Sequence, residues 1–211
     1  MIDSTEASGS SFTIFSTIFS EYFSFSFDIK KFENKAIEIR CEVVINLDVF
    51  DKIKNKLILL IEECTSMQIA VAWGTANHDV YKVLIENQDK INKLVVGTHF
   101  FQTDPNFLEA FLDNDKIRVI YETGEVFHPK IYYFRLKDRW ECLVGSANFT
   151  NGAMSKNKEI LVSFSSDDKE VHQTEQEIWM IIKDWFNEGH IITNEYLLNY
   201  KKHYDSKKEL L

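Results

Sequence analysis

The chain has 211 residues, 45 % hydrophobic and 27 % charged, with 24 basic and 33 acidic side chains. That length suits one substantial domain, and the balance is that of an ordinary water-soluble globular protein. A net charge of −9 excludes a molecule that is basic all over, the usual form of a general polyanion binder. Cys41, Cys64 and Cys142 stand far apart with no Cys-x-x-Cys pair, which argues against a disulfide framework and a zinc site. No His, Cys, Asp and Glu grouping has ligand spacing, so neither a metal nor a cofactor is expected. Acids at Asp3 and Glu6 oppose a secretory signal, and the Phe-rich run 12–27 is broken by Glu21 and several Ser. It is too short and polar to cross a bilayer, so a cytoplasmic setting without membrane contact is the expectation.

Residues 1–11 are small and polar, as in a mobile terminus. From 12 to 27 two periods compete. Phe15, Ile18, Phe19 and Tyr22 recur at helical spacing, whereas Phe23, Phe25 and Phe27 alternate as in a strand. Ile37, Ile39, Cys41 and Val43 alternate with charged residues and predict a half-buried strand. Asp48 is placed to cap a helix whose apolar face is Phe50, Ile53, Leu57, Leu60 and Ile61. A buried strand over 67–73, a helix over 78–86 and a strand over 93–97 follow. Asp104-Pro105 starts a helix carrying Phe107, Leu108, Phe111 and Leu112, with Pro at its favoured first position. A strand over 117–121 completes an alternation typical of an α/β sheet with helices on its faces.

After Gly124 the texture changes. Strands are predicted over 130–134, 141–144 and 159–164, the first two joined by a charged turn at 136–139. A long amphipathic helix over 170–186 runs through Val171, Ile178, Ile181, Ile182 and Trp185, and a shorter helix over 194–204 closes the chain. We read residues 1–35 as a partly flexible N-terminal extension and 36–211 as one catalytic domain.

Three short stretches carry chemistry: Phe127-His128-Pro129-Lys130, Gly145-Ser146-Ala147-Asn148-Phe149-Thr150, and Asn157-Lys158-Glu159. His128 and Lys130 are two apart at a strand start, so both side chains face one way. The turn after the adjacent strand brings Ser146 and Asn148 to that edge, and Glu159 opens the next strand within reach of His128. A neutral imidazole held by a carboxylate is able to attack phosphorus. Lys130 and Asn148 supply donors for the charge that builds on the phosphate oxygens, and Ser146 adds another. Thr150 and Lys158 flank this set as substrate contacts. Between 126 and 158, six cations stand against Asp138 and Glu141 alone, a basic patch able to guide a polyanion to one face of an acidic body. Trp73-Gly74-Thr75 and Thr98-His99 follow strands, where α/β sites are commonly built. For Trp73 the competing role is plain core packing.

His-x-Lys, Gly-Ser-x-Asn-Phe-Thr and Asn-x-Glu together resemble the phospholipase D superfamily, in particular its single-motif bacterial nucleases, over roughly residues 48–186. One departure stands out: members with the extended motif carry Asp five residues after the Lys, where this chain has Arg135. That shifts weight onto Glu159. The resemblance implies a mixed β-sheet flanked by helices and a two-step, metal-independent phosphodiester hydrolysis. In it one His is phosphorylated and a second, from another copy of the motif, protonates the leaving oxygen. His78, His99, His172, His190 and His203 lack a Lys two residues on, so this chain holds one copy. A homodimer with both His128 side chains about one phosphate is therefore implied. The expected substrate is nucleic acid, DNA in the first place, in a defence or repair setting with a possible partner protein from that system. A phospholipid or small-diester hydrolase is the alternative within the same chemistry. A non-catalytic DNA-binding or dimerisation module is the alternative outside it.

Overall fold

The computed structural model describes residues 23–29, 37–45, 50–121, 124–166 and 172–209, with side chains from residue 52 onward except 172–174. Expectations for residues 1–22, for Asp48 and for Val171 fall outside these stretches. Long apolar runs make the centre of the sheet. In β3 (Ser66–Val71) every residue from Met67 to Val71 is buried, as a strand covered on both faces requires. The chain then alternates through α2 (Asp79–Glu86), β4 (Ile91–Gly97), α3 (Pro105–Glu109) and β5 (Ile117–Ile120), with β4 parallel to β3 and to β5. His78 and Asp104 cap the two helices, each side chain accepting a backbone N–H.

The second half is antiparallel. β6 (Lys130–Arg135) pairs with β3 and with β7 (Trp140–Gly145), and β7 pairs with β8 (Ile160–Ser165). Beyond β8 lie β2 (Ile37–Ile45) and β1 (Phe23–Ile29), so the eight strands run in the order β1-β2-β8-β7-β6-β3-β4-β5. The alternation of Phe23, Phe25 and Phe27 thus reports a strand, which pairs antiparallel with β2.

Period-two alternation sends side chains into two cores. Met67, Ile69, Val71, Tyr132 and Phe134 face the larger one, beneath α1 (Phe50–Glu63), α2, α3, α4 (Asn151–Ser155) and α6 (Asn194–Glu209). Ala70, Val95, Tyr133 and Cys142 face the smaller one, beneath α5 (His172–Glu188). The mixed, helix-flanked sheet expected from the sequence is what the chain forms. Two details differ. Ile181 is 43 % exposed, because Ile178, Ile182, Trp185 and Phe186 make the α5 face that packs on the sheet. α6 runs five residues past Tyr204, through a polar segment whose own apolar period is weak. Among the described residues no helix is long and apolar enough to cross a membrane.

Candidate active site

Topology gathers the motif residues. Val71, the last residue of β3, sits opposite Lys130, the first of β6; Ile131 sits opposite Val144 near the end of β7; and Gly145 sits opposite Leu161 at the start of β8. The residues just before β6, just after β7, just before β8 and just after β3 therefore share one edge of the sheet.

Pro129 keeps the chain extended as it enters β6, since the residue before a proline is held out of the helical region. Its carbonyl accepts the Ala72 N–H at 2.9 Å, which continues the β3–β6 pairing past the strand end. His128 thereby comes beside Trp73, ring against ring at 5.1 Å in an edge-on arrangement. Trp73 is thus a wall of the site and not simple core filling. Lys130 is only 7 % exposed, and its ammonium nitrogen lies 2.8 Å from His128 Nδ1 and 3.1 Å from Nε2. It also donates to the His128 carbonyl at 3.0 Å and stands 5.7 Å from the Trp73 ring centroid. A neutral imidazole accepts at one nitrogen only, so a charged Lys130 favours that neutral form. Desolvation, and then the Lys130 charge, push the His128 pKa below its ordinary 6.5. Desolvation also lowers Lys130, against the opposing pull of Glu159.

The carboxylate is held from the other side. Glu159 accepts from the Ser146 hydroxyl and, at 3.1 Å, from Asn157 Nδ2. Ser146 Oγ in turn accepts the Ile160 N–H at 3.0 Å, while the Ser146 N–H bonds Ile160 O at 2.9 Å. Glu159 is therefore bonded to Ser146 and Asn157, and its charge acts on Lys130. Asn157 stands in the Asn157-Lys158-Glu159 motif without a role of its own in the sequence; the fold makes it a holder of the carboxylate. Asn148 is half-buried, and its side-chain oxygen is buried without a partner, an acceptor poised at the edge. Thr150 caps α4 by accepting the Ala153 N–H at 3.3 Å, and Lys158 is exposed on the turn leading to β8. Arg135, at the far end of β6, pairs with Glu175, which also accepts from Tyr133 at 2.5 Å. It takes no part in this edge.

Three hydrogen bonds tie the arrangement together. Tyr132 donates to Ala147 O at 2.8 Å, Thr75 N–H to Phe149 O at 2.9 Å, and Asn151 N–H to Thr75 Oγ1 at 2.8 Å. The loop carrying Trp73 and the loop carrying Asn148 are thus bonded to each other. Chemically, the edge offers a neutral, exposed imidazole backed by an ammonium, beside hydroxyl, amide and carboxylate groups.

Residues 104–182 match the family described as "Cardiolipin synthase, PLD-like domain", a span that includes all three motif stretches. No curated protein matches the chain. Among solved structures, NucT from Helicobacter pylori superposes with a TM-score of 0.51 at 16 % identity, over 71 % of this chain and 97 % of that one. Nuc from Salmonella typhimurium, a phospholipase D family member, gives 0.48 at 20 % identity, over 65 % and 88 %. The match to a PLD-like domain thus lies across this edge, and the sheet around it has the fold of NucT.

Proposed function

We propose that the chain is a phosphodiesterase that cleaves DNA through a phosphohistidine. The observation that carries this reading is the nearly buried Lys130 ammonium against the exposed His128 ring, with Asn148 and the Ser146–Glu159 pair on the neighbouring strand ends. Lys130, Lys156 and Lys158 at this edge and the nuclease name of NucT favour a nucleic acid over a lipid, whereas Arg135 and Arg139 lie at the far end of the β6–β7 hairpin, paired with Glu175 and Glu141.

A His128 ring nitrogen attacks phosphorus with its lone pair as the bond to the leaving oxygen breaks. Lys130 and the Asn148 amide N–H groups carry the charge on the non-bridging oxygens. The leaving alkoxide takes a proton from the imidazolium of a second copy's His128, which a two-fold axis through the site would supply. That second imidazole, now neutral, removes a proton from water. Attack by this water breaks the N–P bond and releases a phosphomonoester and free His128. Glu159 acts as a positioning residue, holding Ser146 in place and keeping Lys130 charged. A catalyst of this kind needs no metal, because imidazole and ammonium supply both nucleophile and charge. Thr150 and Lys158 line the approach, and a cytoplasmic defence or repair role with a partner protein fits the same activity.

Cleavage of plasmid or single-stranded DNA in EDTA, lost in His128→Ala, is the expected result. A requirement for added magnesium would defeat the mechanism. A mobility shift indifferent to His128→Ala with no product formed would favour a binding module, and headgroup release from lipid micelles a lipase. Light scattering should give a dimer; an active monomer would remove the shared site.

A further inference from the structure

We propose that the cavity beside Thr98 is a nucleobase site, which receives an unpaired base flanking the scissile phosphate of single-stranded DNA. It rests on the phosphodiesterase reading above and goes beyond it by naming where the strand is gripped.

The cavity holds about 710 Å³ and opens between the end of β4 and the helix α6. Its position follows from Gly97, the last residue of β4. A Cβ there would lie 2.7 Å from Ala72 O and 3.2 Å from Phe127 O, so only glycine lets this backbone pass. Ala72 and Phe127 immediately precede Trp73 and His128. The chain therefore leaves the sheet next to the catalytic edge and at once enters the cavity wall. Thr103 ties the two places together, donating to Gly97 O at 2.6 Å and accepting the Gly74 N–H at 3.3 Å. Tyr200, in the cavity wall, donates to Thr103 O at 2.9 Å.

The walls are flat rings. Tyr121 stacks on Tyr196 at 4.9 Å, and Tyr196 on Tyr200 at 5.9 Å. Phe100 stands at the rim, 57 % exposed, on a backbone with φ 60° and ψ 13°. Phe101 follows with φ 51°, so two bulky residues in succession occupy the left-handed region. That conformation is costly for a side chain with a Cβ, and packing does not recover the cost for a ring facing water. Lys207 holds the strained turn by donating to Phe100 O, which also brings a cation to the rim. His99 lines the cavity, and neither of its buried ring nitrogens has a partner. A neutral imidazole has one donor and one acceptor, the pairing that a base edge presents. An aromatic slot with such an edge and a nearby ammonium suits a base on its sugar-phosphate chain. A base stacked within a duplex hides both its faces, so the occupant is unpaired.

His203 also lines the cavity, its ring 5.6 Å from that of Phe101, and the test compares wild type with Phe100→Ala, Phe100→Trp and His203→Ala, all changes at exposed positions. The substrates, in EDTA, are a single-stranded DNA oligonucleotide and an abasic oligonucleotide of the same length. We expect Phe100→Ala to raise KM for the normal strand about ten-fold, the loss of one stacking contact, with His203→Ala weaker and Phe100→Trp near wild type. All four proteins should cleave the abasic strand equally, because the His128 edge is untouched. Equal KM values for wild type and Phe100→Ala on the normal strand would overturn the proposal. An equal loss on normal and abasic strands would overturn it too, since the base would then not be what is bound. If no protein cleaves either strand, the phosphodiesterase reading fails separately, and the base site is judged by fluorescence anisotropy. A ten-fold weaker affinity of Phe100→Ala for the normal strand alone would uphold it, and equal affinities would end it.

Discussion

Replacing Gly145 by Ala tests whether the motif glycine exists for the crossing of two backbones. Gly145 faces Leu161 across the β7–β8 ladder. A Cβ there would fall 3.0 Å from both the Ile160 carbonyl carbon and Leu161 Cα, and deeper still into the Ile160 oxygen. All three are backbone atoms, so no side chain is able to rotate away; the strands themselves must part. Forced overpacking of this kind costs about 1–3 kcal/mol. Parting the strands also strains the Ser146 N–H to Ile160 O bond of 2.9 Å and the Ile160 N–H to Ser146 Oγ bond of 3.0 Å, each worth about 1 kcal/mol. The total, about 3–5 kcal/mol, corresponds to a melting temperature lower by roughly 6–20 °C for a chain of this size. Circular dichroism reads that directly. Ser146 carries Glu159, so cleavage of single-stranded DNA at room temperature, where the variant is still folded, should drop further than the unfolded fraction explains. An Ala variant that melts with wild type and cleaves at the wild-type rate would refute the backbone-crossing argument.

Glu141 is 3 % exposed and accepts from Lys56 at 2.6 Å, Arg139 at 2.8 Å and Ser163 at 2.8 Å. Glu141→Ala should cost about 2 kcal/mol by urea titration, the low end of the range because Lys56 and Arg139 are able to turn to water; an unchanged midpoint would contradict this. Burial raises the Glu141 pKa, but its three donors outweigh that and leave it below its ordinary 4.5. Its stabilisation is present above pH 4.5 and is lost as pH falls through the folded value, so wild type should lose stability in acid more steeply than Glu141→Gln. His128 titrates below 6.5, so the acid limb of kcat/KM should lie below pH 6.5, and Lys130→Met should move the His128 NMR titration upward. A wild-type titration above 6.5 would show that Lys130 does not act on the ring as described. Cys64, with its thiol pushed up to about 11, and Cys142, fully buried and raised further, should resist a disulfide reagent until the protein unfolds.

Much of the fold was legible because its signals are local. The unbroken apolar run of β3, the Asp104-Pro105 start of α3 and the charged turn between β6 and β7 each announce themselves within a few residues. What the chain does not announce locally is partnership. Spacing alone directed Glu159 toward His128, yet the β7–β8 register sets residue 146 against residue 160, and Ser146 and Asn157 take the carboxylate. Trp73 stands in the sequence as a strand-end site candidate with core packing as its rival role. Only the antiparallel pairing of β3 with β6 turns it into a neighbour of His128. The left-handed turn at Phe100 has no glycine or asparagine to signal it and is held by Lys207, more than a hundred residues later.

The spacing of the three motif stretches is therefore a consequence of strand lengths. From Lys130 the chain runs out along β6, turns at 136–139 and returns along β7 to Gly145, so the interval between His128 and Asn148 is the contour of one hairpin. β8 must then start at that same edge for Gly145 to meet Leu161, which confines Asn157 and Glu159 to the short connection after α4. Each partner is brought home by an antiparallel return. The parallel β3–β4 pair ends at the same edge because its crossover helix carries the chain back to the strand starts. Trp73 and Thr98 thus arrive beside one another with no motif to mark them. The catalytic candidates come from the antiparallel half and the aromatic cavity from the parallel half. On the proposed function, the line where β3 meets β6 is where an attacking group and a gripping surface would face one substrate.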